Sequence, residues 1–493
     1  MALISAPLAL RRFAEADPQR PALTVDGKTL TRAELESRTN RLARAFEQLG
    51  VREGSFVTIA LPNCIAFVES TIAALKLGAT PQPVSGKLPK GELAAIVELA
   101  KPSLLVGANA SDFPNVACIG ANFVADVGLS DAALPDRISQ YWKAPTSGGS
   151  TGRPKLIVST APAVVDENAQ AFAMPFLLPR DGGVLVPGPL YHNGPFTFCL
   201  QGLLRGNHIV VMSKFDSIQL LTLIEQHRLQ VMLLVPTMMS RISKLPEAER
   251  NKFDVSSLRV AYHMASHCPE WLKKTWIDWL GADSIYELYG GTEMQAVTII
   301  KGSEWLTHPG SVGRCVIGEM KIIGEDGQEL GCDEVGEIYM RQPAGAAMPY
   351  FYIGAEAKNV DGWETLGDLG RFDKDGYLYL ADRRTDMILR GGANVYPAEV
   401  EAAIDEHPEV QSSAVIGLPD DDLGQRIHAI VQAKRVISAE ELSEHLAGRL
   451  APYKRPASFE FVDVSLRDDA GKSRRSALRV ARMSPAVAAL SGA

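Results

Sequence analysis

At 493 residues, 46% of them hydrophobic, the chain has material for more than one packed core and length for two to four domains. Its 50 lysines and arginines against 58 aspartates and glutamates leave a formal charge of −8, and with no long basic run this argues against a nucleic-acid partner. Six cysteines (Cys64, Cys118, Cys199, Cys268, Cys315, Cys332) lie far apart without Cys-x-x-Cys spacing, which argues against a disulfide framework or metal cage and makes a reducing cytoplasm the expected location.

The apolar start Met1 to Leu10 precedes Arg11-Arg12, the reverse of a secretory signal, and no apolar run reaches bilayer length, so no transmembrane segment is expected. Thr31 and Glu34 form a capping box, after which Leu35, Leu42, Ala43, Phe46 and Leu49 recur at helical spacing until Gly50 stops the helix. Ser55 to Leu61 reads as a strand and Cys64 to Leu77 as a second helix. The alternation returns with strands at 183–187 and 208–212, a helix capped by Ser217 and running through Arg228, and a buried-looking strand at 231–235. From Ser311 to Met340 short alternating runs broken by Gly/Asp turns predict a β-rich subdomain, and Asp373-Lys374-Asp375-Gly376 is a further hairpin turn before Tyr377-Leu378-Tyr379-Leu380. Beyond Arg383, Pro397 and Ala398 open a helix with Val400 and Ile404 on one face. A strand at 413–416, a helix at about 439–450 and a strand at 459–462 complete a compact α+β unit.

Ser147-Gly148-Gly149-Ser150-Thr151-Gly152-Arg153-Pro154-Lys155 concentrates more polar backbone than any other stretch. Its glycines let N–H groups turn inward around an anion, its hydroxyls and Lys155 add donors, and Pro154 stiffens the exit. It reads as a phosphate-holding loop; the alternative, a flexible surface loop, is opposed by Lys155 and by the lack of further low-complexity sequence. It is not a Walker loop, and a second decoy at Gly471-Lys472-Ser473 has Leu466 where the leading glycine belongs.

Tyr289-Gly290-Gly291-Thr292-Glu293 follows what reads as a strand end, the place where α/β sheets bind ligands. Thr292 can donate to a phosphate oxygen and Glu293 offers a hard oxygen to magnesium; a tight turn with a solvated glutamate is the alternative. Asp368, in Leu366-Gly367-Asp368-Leu369, can accept both hydroxyls of a ribose or simply cap a turn, and Arg383 can reach the same ribose or pair with Asp382. Lys472 reads locally as a solvated lysine in a basic patch. His192 and Asn193 follow a strand on a Pro/Gly-rich loop, where a histidine either walls a substrate pocket or is satisfied within the structure.

Taken in order, the glycine loop, Tyr-Gly-Gly-Thr-Glu, Gly-Asp-Leu, Asp-Arg, Gly-Gly-Ala-Asn and the terminal Gly-Lys resemble the adenylate-forming superfamily of acyl-CoA synthetases, carrier-protein adenylation domains and luciferases, from Pro21 to about Arg479. The resemblance is greatest to a stand-alone acyl-CoA synthetase. It implies an α/β fold in which a large N-terminal domain of α/β layers (1–384, with its β-rich subdomain at about 311–382) and a small mobile α+β C-terminal lid (385–493) enclose ATP and a carboxylic acid. By that likeness the 147–155 loop, Ser147 through Gly152 with Lys155, holds the β- and γ-phosphates, Thr292 the α-phosphate, Glu293 the Mg2+, and Asp368 with Arg383 the ribose. Ala265, Ser266, Glu287, Leu288 and Tyr289 border adenine; His192, Asn193, Gly290 and Gly291 border the acyl group, His192 and Lys472 joining Thr292 and Glu293 as catalytic candidates. Lys472 then bridges the acid's carboxylate and the α-phosphate, after which the lid turns about a hinge at Thr385 to bring Gly391-Gly392 toward the thiol tunnel.

Three departures stand out. The hinge position carries Thr385 where relatives mostly have Asp or Lys; His263-Met264-Ala265 replaces a Gly-Gly-Ala segment at the pocket wall; and Ala470 stands where threonine is common. Asp216, in Phe215-Asp216-Ser217, reads as a helix cap, not as the holder of an amino-acid amine, while Tyr191 to Phe196 resembles bile-acid- and steroid-type CoA ligases and suggests a bulky alicyclic, terpenoid or aromatic acid. The implied cofactors are ATP, Mg2+ and coenzyme A. A carrier protein acting in trans is the rival acceptor, a non-catalytic nucleotide-binding protein the rival of another class, and a kinase is disfavoured by the missing Walker spacing. Neither motif nor composition sets the oligomeric state, a homodimer included.

Overall fold

A computed structural model describes residues 3–147, 154–383, 386–420, 422–468 and 471–483. The first strong sequence signal folds as its chemistry dictates. The helix Arg32–Gln48 opens with the Thr31 hydroxyl accepting from the Glu34 N–H at 3.2 Å while the Glu34 carboxylate accepts from the Thr31 N–H at 2.8 Å. Its buried Leu35, Leu42, Ala43 and Phe46 share one core with Phe67, Val68 and Ile72 of the helix Ile65–Lys76.

The described residues form a 14-stranded sheet at the centre of the N-terminal part. Six adjacent strands run parallel in the order Pro21–Val25, His208–Val211, Gly183–Val186, Val231–Leu234, Val260–His263 and Ile285–Gly290. Their near-continuous apolar runs are explained by helices on both faces. Val184, Val186, Ile209, Val211, Val231 and Leu233 pack toward the helix Asn193–Leu203. The alternate residues Leu185, Val210, Met232, Leu234 and Ala261 pack toward Ser217–His227, Pro236–Ser243 and Glu270–Leu280. Ser217–His227 is capped by Asp216, whose carboxylate accepts from the Gln219 N–H at 2.8 Å, and not by Ser217, because Ser217 is already its first helical residue.

Beyond Gly290 the direction reverses. Val297–Lys301 pairs antiparallel with Ile285–Gly290, and the strands after Ser311 extend the same sheet through Ser311–Ile317, Leu378–Arg383, Trp363–Phe372, Gly336–Arg341 and Glu319–Ile323. A smaller, all-parallel sheet holds Thr80–Pro83, Phe56–Ile59, Leu104–Val106 and Ala117–Ile119. A third joins Thr146–Ser147, Lys155–Ser159 and Tyr350–Ile353, so the glycine loop connects two antiparallel strands whose register pairs Ser147 with Lys155. Gly148 to Gly152 lie outside the described residues, as do Ala470 and Thr385.

The C-terminal part builds its own core from Pro397–Asp405, Ala439–Ala447 and three strands, Val410–Asp420, Gly424–Ala433 and Ser458–Val462. The expected strand at 413–416 is the middle of the longer Val410–Asp420. Gly424–Ala433 had no place in the sequence reading because its buried Ile427, Ala429, Ile430 and Val431 are broken up by the polar His428 and Gln432. All six cysteines are free thiols, as their spacing predicts. Among the described residues no helix is long and apolar enough to cross a membrane.

Candidate active site

The carboxyl ends of four neighbouring parallel strands gather the residues that the motifs single out. Gly183–Val186 leads to His192 and Asn193, Val260–His263 to Ala265 and Ser266, and Ile285–Gly290 to Gly291, Thr292 and Glu293. Between them, Val231–Leu234 leads to Val235 and Thr237, on which the C-terminal part docks: a Cβ on Gly471 would stand 3.0 Å from Thr237 Oγ1 and 3.3 Å from Val235 Cγ2. Lys472, exposed, is thus carried to the edge where α/β sheets bind ligands.

Glu293 is buried, with one carboxylate oxygen accepting from the Tyr352 hydroxyl at 2.6 Å and lying 3.8 Å from Lys155 Nζ. The Lys155 ammonium sits 3.7 Å from the centre of the Tyr352 ring, and burial lowers its pKa against the opposing pull of Glu293. A Cβ on Gly291 would collide with Leu366 Cδ1 at 2.6 Å and Glu293 Oε2 at 2.8 Å, so the backbone passes close to the carboxylate only because that residue is glycine. A hard carboxylate beside a threonine hydroxyl and a lysine suits a magnesium-bound polyphosphate, and these donors fit such a group. Tyr352 is the residue the sequence reading missed. It stands opposite Ile157 across the Tyr350–Ile353/Lys155–Ser159 pair, and its one local signal is the alternation Tyr350-Phe351-Tyr352.

Asp368 sits within the strand Trp363–Phe372, with its Cα opposite that of Arg383, and accepts from the Tyr289 hydroxyl at 2.9 Å. Tyr289 and Asp368, 79 residues apart in sequence, therefore form one polar wall. Glu287 lies two residues before Tyr289 on the same strand. Its carboxylate pairs with the buried Lys273 at 2.6 Å, and although burial opposes ionisation, Lys273 and His263 hold its pKa below the usual value. Burial pushes His263 down to about 4, so the imidazole is neutral at physiological pH. Leu288 lies against the core on the opposite face.

Ala265 adopts φ +78°, a left-handed conformation that favours glycine and marks strain at the segment where the expected Gly-Gly-Ala is replaced. Beside it the Ser266 Oγ is buried and finds no partner among the described residues. His192 takes the N-cap position of Asn193–Leu203 with its ring 4.3 Å from that of Tyr191, and Gly194 packs against Met264 Sδ, where a Cβ would stand at 3.0 Å. Gly391 and Gly392, at φ +56° and +83°, form the turn between Ile388–Arg390 and Ala393–Val395. The Gly391 N–H is bound to Leu423 O at 2.8 Å, within the C-terminal part itself.

The family model of AMP-binding enzymes matches residues 10–351, and that of the AMP-binding enzyme C-terminal domain matches residues 399–472. A feruloyl-CoA synthase of Amycolatopsis sp is 32% identical over 95% of this chain and 97% of its own length. The o-succinylbenzoate CoA synthetase of Bacillus subtilis, solved with the acyl-adenylate intermediate OSB-AMP, superimposes with a TM-score of 0.81 at 25% identity over 97% of this chain and 99% of that one. The same enzyme with ATP and magnesium gives a TM-score of 0.78 at 25% identity, covering 96% and 99%.

The chain belongs to the AMP-binding enzyme family, with the large N-terminal and small C-terminal α/β domains of adenylate-forming enzymes. Within it the chain is an AMP-forming acid–thiol ligase, an acyl-CoA synthetase that uses ATP, Mg2+ and coenzyme A to carry a carboxylic acid through an acyl-AMP to its thioester.

Proposed function

We propose that this enzyme acts on a ring-bearing carboxylic acid, aromatic or alicyclic, and that residues 1–384 hold ATP and acid while residues 385–493 close over them as a lid. The observation that carries the reading is the convergence of His192, Ala265-Ser266, Thr292-Glu293 and the Gly471-Lys472 loop on the carboxyl ends of neighbouring strands. The adjoining Tyr191 and His192 rings, tilted at 44° to each other, and the Met264 contact at Gly194 offer apolar, polarisable walls for a ring, and the relatives named above act on ferulate and o-succinylbenzoate.

In this assignment the 147–155 loop and Lys155 hold the β- and γ-phosphates, Thr292 the α-phosphate, and Asp368, with Tyr289 and Arg383, the ribose. Glu293 would hold Mg2+, which neutralises phosphate charge when bound. A carboxylate approaching an anionic α-phosphate is repelled; the Lys472 ammonium between them offsets that repulsion as charge builds on phosphorus and pyrophosphate leaves. The thiol of coenzyme A then attacks the acyl carbonyl and AMP departs.

Lys472→Ala should lower acid-dependent pyrophosphate formation by about 100- to 1,000-fold; near-wild-type adenylate formation in this variant would remove Lys472 from its role. The substrate is read from pyrophosphate and AMP release with a panel of aromatic, alicyclic and straight-chain acids, with and without coenzyme A. Turnover confined to straight-chain acids overturns the ring-bearing class, and turnover that coenzyme A leaves unchanged but a phosphopantetheinyl protein accelerates moves the acceptor to a carrier protein.

A further inference from the structure

Lys472 is exposed where a tight loop closes on Asp468, so the placement of that loop's backbone sets where its ammonium can reach. A step that depends on one charge between two anions needs the loop that carries it held in place before reaction. The loop itself is held by three short bonds: Asp468 N–H to Lys472 O at 2.9 Å, Gly471 N–H to Asp468 O at 2.9 Å, and Lys472 N–H to Asp468 Oδ1 at 2.9 Å.

A buried carboxylate anchors the loop from both sides, while Arg467 also reaches Ser413 O at 3.1 Å and Asp405 at 3.8 Å. Glu401, 3% exposed on the helix Pro397–Asp405, receives both flanks of the lysine segment. Arg475, three residues after Lys472, grips it with two parallel bonds, Nε to Oε1 at 2.9 Å and Nη2 to Oε2 at 2.9 Å. Arg467, five residues before, donates to Oε2 at 3.1 Å and also to Gly471 O at 3.3 Å, in the loop itself. The remaining Glu401 acceptor capacity is used by the Val415 N–H at 2.8 Å, which fixes the carboxylate to the sheet. Arg475 reaches one residue further, to Asp386 at 2.8 Å, beside the segment where the chain enters the C-terminal part. A fork-shaped arginine–carboxylate pair is directional as well as strong, so the Arg475 fork and the single Arg467 bond on one glutamate set the loop's height and tilt over the Val235–Thr237 edge.

We propose that Glu401 is the positioning residue for Lys472: through Arg467 and Arg475 it holds the catalytic lysine in register for adenylate formation, and it takes no part in thioester formation. This rests on the assignment of Lys472 above. Glu401→Gln keeps the shape and removes the charge. It should lower acid-dependent pyrophosphate formation by about 10- to 100-fold while leaving transfer of the acyl group from supplied acyl-AMP to coenzyme A within about twofold of wild type. In a Lys472→Ala background the same change should cost nothing further, since a residue that acts only through the lysine has nothing left to position.

A merely structural role predicts the opposite pattern, with both half-reactions falling together and losses that multiply in the double variant, and either result overturns the inference. A severe loss in Lys472→Ala beside a normal rate in Glu401→Gln overturns it alone; normal adenylation in Lys472→Ala overturns the lysine assignment and this inference with it. Should Glu401→Gln not fold, Arg475→Lys decides: it keeps the charge, loses the fork, and must show the same selective loss of adenylation.

Discussion

Lys143 is a buried cation with no described carboxylate beside it. Its ammonium donates to Asn193 Oδ1 and, at 3.1 Å, to Thr197 Oγ1, and it lies 4.2 Å from the centre of the Trp142 ring. Burial pushes its pKa from 10.5 down to about 7. The sign of the pH effect follows from linkage. Below about pH 7 both folded and unfolded chains hold the proton and the full cost of the buried charge is present. Between about 7 and 10.5 the unfolded chain holds more protons than the folded one, so stability rises with pH. Lys143→Met removes the titration. The stability of wild type relative to Lys143→Met should be flat below pH 7 and climb above it, and denaturant unfolding at pH 6, 7.5 and 9 checks this. At this scale Thr292, Glu293 and Asp368 stood out as candidates from residue type and glycine context, whereas Lys143 and Tyr352 did not, because each becomes meaningful only through partners 50 and 59 residues away.

Gly313 shows how an element forces a residue. Ser311–Ile317 shifts register against Leu378–Arg383 between Ser311 and Gly313, and Gly313 sits at φ +100° with its missing Cβ 2.1 Å from Ile299 O. The strand can cross its neighbour this closely only without a side chain. Gly313→Ala should destabilise the protein by at least about 1 to 3 kcal/mol from the backbone strain alone, seen as a lower melting temperature; an unchanged transition would contradict the bulge. The start of the helix Arg32–Gln48 was readable from its capping box, Thr31 and Glu34. Asp368 was not: flanked by glycine it reads as a turn, yet it lies mid-strand, because pairing with Gly336–Arg341 and Leu378–Arg383 on either side overrides the local preference.

At the scale of the whole molecule, the C-terminal part is held with its lysine loop on the large sheet. Lys244 of the N-terminal part, its pKa lowered by burial, donates to Asp405 O at 3.3 Å and to Val410 O from one end of the helix Pro236–Ser243, whose other end carries the Thr237 that Gly471 packs against. Meanwhile the Gly391-Gly392 turn is bonded inward to Leu423. With Lys472 and the Gly391-Gly392 turn in the roles proposed above, this is the arrangement suited to adenylate formation. Lys244→Met should slow pyrophosphate formation by roughly tenfold, the worth of a charged hydrogen bond, and leave transfer from supplied acyl-AMP unaffected or faster; equal slowing of both steps would mean that Lys244 supports folding and not lid placement.

The sequence by itself determined the layered α/β architecture, the free cysteines, the capped helices and the motif order that resembles adenylate-forming enzymes, since spacing, glycine content and capping chemistry are local properties. Only the tertiary structure decided which strand ends adjoin, that Glu287 pairs with Lys273, that Tyr352 holds Glu293, and that Glu401 anchors the loop of Lys472. These depend on sheet order and domain docking between segments tens to hundreds of residues apart, where burial and ion pairing, not local propensity, select the arrangement.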